Sequence, residues 1–172
     1  MIIFLISSVT LLGFGLYLNI KSKEKIVDKL ANLQVGESID EMILITENGT
    51  KVNKYKMNTY EMAVIFIFSW PCSPCNKNIP FWQRIGSLKK ADIFGIVIED
   101  AKKMTSFAES MNLNFHLFCP LDINKFKQDF RLKFDLAQTL LLKKGKIIYV
   151  NVGELTPQDY FEITKKLNKG GI

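Results

Sequence analysis

The sequence predicts an α/β domain, a partly parallel sheet layered with helices, behind a single apolar N-terminal span. Three observations predict it. Two runs with buried-strand composition, MAVIFIF (Met62–Phe68) and DIFGIVIE (Asp92–Glu99), are each followed by residues at helical spacing. The chain closes with two apolar strands around Gly145 and a helix with a clear start. Residues 2–20 contain no charge.

At 172 residues the chain can bury one sizeable core and still carry an appendage. Its 48% hydrophobic content belongs to a folded protein rather than a disordered one. Formal net charge is +6, yet only Arg84 and Arg131 among the 23 basic residues are arginines. Bidentate reading of phosphates or guanine edges needs arginine forks, so nucleic-acid binding is not expected. The lysines read as solvated surface with a weak attraction for anionic lipid. Three cysteines are too few for a disulfide scaffold and leave one thiol over.

Each element can be justified in order. Residues 1–20, MIIFLISSVTLLGFGLYLNI, form the span. As a helix its uncharged part covers about 28 Å, close to the hydrocarbon thickness of a bilayer. It has neither a basic leader nor a small-residue cleavage site, which predicts an uncleaved anchor that contacts lipid through residues 2–20. Residues 21–35 are charged and amphipathic and read as a juxtamembrane helix or linker; residues 36–172 form the domain. MILITENGTKVNKY alternates around Asn48-Gly49, a hairpin signal. Met62–Phe68 predicts a strand buried on both faces, and Asn76–Lys90 a helix. Asp92–Glu99 is a second buried strand, and Ala101–Met111 a helix with Met104, Phe107, Ala108 and Met111 on one side. Phe115–Phe118 predicts a short strand and Asp122–Phe134 a helix. Thr139–Gly153 predicts two strands around Gly145. In the last helix Thr156 is the N-cap, Pro157 the first position and Asp159 part of the first turn.

The chemistry concentrates in FIFSWPCSPCNKNIPFW, Phe66–Trp82. Cys72 falls where a buried strand ends and a helix begins. Unpaired N–H groups and the positive helix end there favour a thiolate, the nucleophile of disulfide exchange. Cys75 returns within disulfide reach. Pro74 removes a donor and stiffens the first turn, and Pro80 is expected to kink the same helix further along.

Strand, Cys72-Ser73-Pro74-Cys75 and Pro80 together resemble the thioredoxin-like fold, over roughly residues 36–168. With the apolar N-terminus and the early hairpin, the chain is most similar to the membrane-anchored TlpA, ResA and MauD group of thiol-disulfide oxidoreductases. The resemblance implies a thioredoxin-like central sheet flanked by helices, with Cys72 as attacking thiol and Cys75 as resolving thiol. It also implies Trp70, Pro71, Pro74, Pro80 and Ala137 as residues that shape the site. Its implied partners are protein thiols and disulfides and a membrane electron-donor protein, with no cofactor and no metal. Its implied setting is the bacterial cell membrane, with the redox domain extracytoplasmic and clients in cytochrome c maturation or enzyme assembly. Lys21, Lys23, Lys25 and Lys29 follow the span and by themselves would hold the domain inside; the outward placement follows the resemblance.

Three departures stand out. Pro71 rather than tryptophan precedes Cys72, as in the MauD-like version of the motif. Ala137 occupies the place of the cis-proline that docks substrate backbone. A non-proline cis bond costs about 2.5–4 kcal/mol, so a trans peptide is expected there. No carboxylate stands on MAVIFIF to take the resolving thiol's proton.

Other chemistry stays open at this point. Cys72, Cys75, His116 and Cys119 make up a sufficient zinc set, although His116 and Cys119, three apart on a strand, would face opposite ways. A copper site on the Cys72–Cys75 pair, or a docking module without turnover, is the alternative from another class. Ser69-Trp70-Pro71-Cys72 matches the end of a peroxiredoxin signature whose upstream proline is missing. Cys119 reads as a small buried hydrophobe and His116 as a packed or surface residue. Trp70 and Trp82 read as shields of the site or as core aromatics.

Overall fold

The computed structural model describes residues 33–46, 48–49, 51–70, 72–132 and 137–169. The predicted span 1–20, most of the linker and Pro71 lie outside the described residues. Among the described residues, no helix is long and apolar enough to cross a membrane.

The hairpin around Asn48-Gly49 is present as β1 (Glu41–Thr46) and β2 (Val52–Lys56). A single 3₁₀ turn, Met57–Thr59, leads into β3 (Met62–Phe68), all seven residues of which are buried. Then follow α1 (Ser73–Ser87), β4 (Asp92–Val97) and α2 (Ala101–Ser110). The chain continues through β5 (Leu117–Pro120) and α3 (Ile123–Asp129). It closes with β6 (Gln138–Lys143), β7 (Lys146–Val152) and α4 (Pro157–Lys169).

The seven strands form one sheet in the order β2-β1-β5-β4-β3-β6-β7. The β3–β4 and β4–β5 pairs are parallel, as βαβ crossovers through α1 and α2 require, and the rest are antiparallel. Period-two alternation along β3 splits the core. Val64, Phe66 and Phe68 join Trp82 and Ile85 of α1, Met104 and Phe107 of α2, and Ile163 and Leu167 of α4. Ala63, Ile65 and Ile67 join Phe126 and Phe130 of α3 together with Met57 and Leu33 on the other face. A strand covered on both sides must be apolar throughout, which is why MAVIFIF has no polar position. At Gly95 of β4 a Cβ would lie 2.7 Å from Leu117 Cδ2 and 2.8 Å from the Phe115 ring. No other residue fits there without displacing both side chains.

Helix ends follow their sequence signals. Asp100 and Asp122 accept from the N–H of Lys103 and Lys125, 2.9 and 2.8 Å, as N-caps. At α4, Thr156 Oγ1 accepts from Asp159 N at 3.2 Å, and Asp159 Oδ2 accepts from Thr156 N at 2.8 Å, a reciprocal cap. Lys144 and Gly145, with φ of 50° and 78°, make the two-residue turn between β6 and β7.

Several element boundaries differ from those expected. The helix after the cysteines begins at Ser73, not Asn76, because Pro74 in a first turn has no intrahelical N–H bond to lose. It stops at Ser87, before Lys89 takes a left-handed φ of 51°. The helix expected over Asp122–Phe134 ends at Asp129, before Arg131 takes a φ of 50°. β5 begins at Leu117, two residues later than expected, because its extent is set by pairing with β1 and β4 rather than by its apolar content.

Candidate active site

Cys72 and Cys75 are joined as a disulfide, Cα–Cα 5.3 Å, at the mouth of α1 where β3 delivers the chain. Cys72 is the N-cap: its Sγ accepts from the backbone N–H of Cys75 at 3.2 Å, the place a serine or aspartate oxygen would take. The same N–H and the aligned peptide dipoles of α1 would hold negative charge on Cys72 Sγ once the disulfide is reduced. Accessibility divides the pair. Cys72 is 8% exposed and Cys75 0%, so of the two residues only Cys72 reaches the surface at all. Cys75 Sγ lies inward, 3.9 Å from the carbonyl oxygen of Ser69.

Two residues before Cys72, Trp70 is half-buried with its ring 4.6 Å from Phe107, packed against the cluster that holds both cysteines. Trp82 is wholly buried, stacked 4.9 Å from Phe66, and donates Nε1–H to Thr139 Oγ1 at 3.1 Å. It is a core residue behind the site rather than part of its surface. Pro74 sits in the first turn of α1 and Pro80, exposed, lies inside the helix, which runs on past it to Ser87.

Ala137 belongs to the same buried cluster as Cys72 and Cys75. Its carbonyl accepts from Gly153 N at 2.7 Å. This contact leads to a residue that motif reading passed over. Asn78, three beyond Cys75 and 0% exposed, donates Nδ2–H to Gly153 O at 2.8 Å and accepts from Leu155 N at 2.7 Å. A chain of hydrogen bonds thus runs from the cysteine helix through residues 153–155 to Ala137. Lys77 and Glu154 add an ion pair of 2.8 Å over the same loop, with both side chains more than half exposed.

Of the other predicted candidates, Cys119 lies in the same buried cluster as the disulfide but is not bonded to it. Cys119 is a free thiol, 1% exposed on β5 opposite Ile45. Burial, and then the Asp100 carboxylate, push its pKa up, so it stays a protonated and poor nucleophile. His116 is exposed just before β5, and its carbonyl accepts from Gly95 N at 3.2 Å. Among the described residues no group of three or more His, Cys, Asp or Glu side chains comes together as a metal site.

No family model matches the sequence, and no curated protein matches it. Solved structures match the fold. A thiol:disulfide interchange protein, DsbE, from Chlorobium tepidum superposes with a TM-score of 0.66 at 16% identity, over 80% of this chain and 98% of its own. StoA from Bacillus subtilis gives 0.57 at 15% identity, over 77% and 99%. The fold is thioredoxin-like. A peroxiredoxin-like protein from Aquifex aeolicus shares it too, at 0.63 and 17% identity over 80% and 88%. A thioredoxin-like sheet therefore sets where a disulfide is displayed, and the residues at that place set what is done with it.

Proposed function

We propose that this protein is a thiol-disulfide oxidoreductase that exchanges electrons with disulfides of other proteins through Cys72 and Cys75. The observation that carries the reading is the asymmetry of the pair: an N-cap cysteine that retains some surface, backed by a second cysteine that is fully enclosed. In the reducing direction, Cys72 thiolate attacks one sulfur of a client disulfide. A mixed disulfide forms and a client thiolate leaves. Cys75 loses its proton and attacks Cys72 Sγ, which releases the second client thiolate. The client gains two electrons and, with two protons from water, becomes a dithiol, while the Cys72–Cys75 disulfide re-forms. The oxidising direction is the reverse.

Residues 2–20 are read as a single-pass anchor, supported by an uncharged run of bilayer length. The domain is placed on the extracytoplasmic face of a bacterial cell membrane. There it would be recharged by a membrane electron-donor protein and act on proteins under maturation, cytochrome c among them. Support for that placement is the likeness of the motif and anchor to the TlpA, ResA and MauD group. A fusion reporter active only in the cytoplasm would overturn it.

The deciding experiment is a thiol redox titration of the full chain in detergent, read by alkylation and mass. Cys72 and Cys75 should interconvert as one reversible two-electron couple while Cys119 stays reduced throughout. Retention of stoichiometric metal with no such couple would sink the reading. Cys72→Ser separates an exchange enzyme, which loses turnover, from a docking module, which keeps its client.

A further inference from the structure

We propose that the end of the domain opposite Cys72 is a docking face for an anionic bilayer surface, built from Lys89, Lys90, Lys144, Lys146, Lys166 and Lys169. The inference rests on residues 2–20 being a membrane anchor and adds which way the anchored domain faces.

Topology gathers these lysines. Cys72 follows the C-terminal end of β3, so whatever adjoins the start of β3 lies at the other pole. Lys89 and Lys90 lead into β4, which runs parallel to β3. Met62 pairs with Lys143, which puts the Lys144–Gly145 turn and Lys146 beside the start of β3. Leu167 of α4 lines a shallow hollow with Met62, Lys89, Lys90 and Asp92, so the last turn of α4 brings Lys166 and Lys169 to the same end. The carboxylates there are Glu61, which pairs with Lys143 and Lys144 at 3.7 and 3.3 Å, Asp92, and Glu37 and Asp40 on the segment beside Gly145 and Ile147, Glu37 itself pairing with Arg131 at 2.8 Å. They are fewer than the lysines and leave the pole positive. At the disulfide end the signs are mixed: Glu99, Asp100, Asp122, Glu154 and Asp159 stand among Lys77, Lys102, Lys103 and Lys125.

The described chain also begins at the basic pole. Gly36 N donates to Ile147 O at 2.8 Å, Ser38 bridges to Lys146, and Leu33 is already buried in the core. The apolar run precedes these residues in the chain, so a tether that reaches the domain through residues 36–39 brings this pole toward the bilayer. Lysine ammonium groups are hydrated point charges without a fixed fork, suited to a fluid layer of anionic headgroups rather than to one phosphate in a pocket. β3 spans seven residues, so docking holds the disulfide roughly 20 Å further out, facing water.

The test uses the full chain in nanodiscs of phosphatidylcholine alone and with about one-third phosphatidylglycerol, with lysine acylation read by mass spectrometry. Labelling of Lys89, Lys90, Lys144 and Lys146 should fall several-fold in the anionic discs only. It should recover at about 0.5 M salt, where the Debye length is a few ångström. Lys77, Lys102 and Lys125 should label equally in both lipids. Changing Lys89, Lys90, Lys144 and Lys146 to Glu should abolish the protection of Lys166 and Lys169 and leave exchange with a small disulfide unchanged. Equal labelling of the pole in both lipids, protection at the Lys77 end, or protection that appears only on adding an acidic protein would overturn the proposal. The anchor reading fails by a different sign: loss of the chain from neutral discs on an alkaline wash.

Discussion

Asn78 grips the backbone on both sides of Glu154, donating to Gly153 O at 2.8 Å and accepting from Leu155 N at 2.7 Å. Both atoms of its amide are thereby used inside the core, on the helix that carries the cysteines. Asn78→Ala should cost about 2–4 kcal/mol, since it strands two buried backbone groups. Breaking the exposed Lys77–Glu154 pair over the same loop by Lys77→Ala should cost less than about 1 kcal/mol. Chemical denaturation of both variants checks the contrast. Comparable losses would mean that the loop is held by charge.

A sharper version uses Asn78→Asp. Protonated, the introduced carboxyl can repeat both contacts; ionised, it sets an anion against the Gly153 carbonyl. Its folded pKa is therefore raised, and the variant should be most stable at low pH and lose stability as pH rises through that folded value. A pH series of unfolding midpoints, compared with wild type, reads the sign directly.

Cys75→Ser should leave the first step of exchange intact and remove the second. Mixing reduced Cys75→Ser protein with a disulfide-containing client should accumulate a covalent Cys72–client adduct, visible by non-reducing electrophoresis and cleaved by dithiothreitol. The Cys72→Ser protein should form none, because Cys75 is enclosed. An adduct of equal yield from Cys72→Ser would reverse the two roles.

Cys119 should behave as packing. In the native protein iodoacetamide should modify it far more slowly than reduced Cys72, since burial keeps its thiol protonated. Cys119→Ala should cost about 1–2 kcal/mol through the lost sulfur contacts and leave exchange rates unchanged. A fall in turnover would make it a third redox thiol.

Tyr149 donates to Asp159 Oδ1 at 2.9 Å, and burial followed by the Asp159 charge raises its pKa well above the usual phenol value. A raised folded pKa means that the unfolded chain releases this proton first. Stability should therefore fall as pH climbs past about 10. Tyr149→Phe should be less stable near neutral pH by about 1 kcal/mol and show a shallower alkaline decline, measurable by thermal melts from about pH 8 to 11.

Much of the fold can be read from local chemistry. MAVIFIF names the central strand because no solvated position interrupts it, and Thr156-Pro157 with Asp159 names the last helix because caps act within one turn. Cys72 and Cys75 declare themselves through spacing and placement. Asn78 does not. In NKNIP it looks like any polar helix residue, and its burial is made by a loop 75 residues away in sequence. The start of β5 is not legible for a related reason, because its pairing with β1 joins residues far apart in the chain. The early end of α3 is local, a left-handed Arg131 with Leu132 N donating to Lys127 O at 2.8 Å, but Arg131 does not announce it as a glycine would. The alanine at position 137 could be located from the motif, but not the Gly153 N–H that holds its carbonyl.

The disulfide closes a ring within a single helical turn, between residues separated by three in sequence. Gaining or losing two electrons is then a change confined to a few atoms at a helix tip, with no distant segments cross-linked or released. The molecule's outline, radius of gyration and far-ultraviolet spectrum should be alike in both oxidation states. On the proposed exchange reading, a partner that tells the two oxidation states apart has to reach Cys72, the less enclosed residue of the pair.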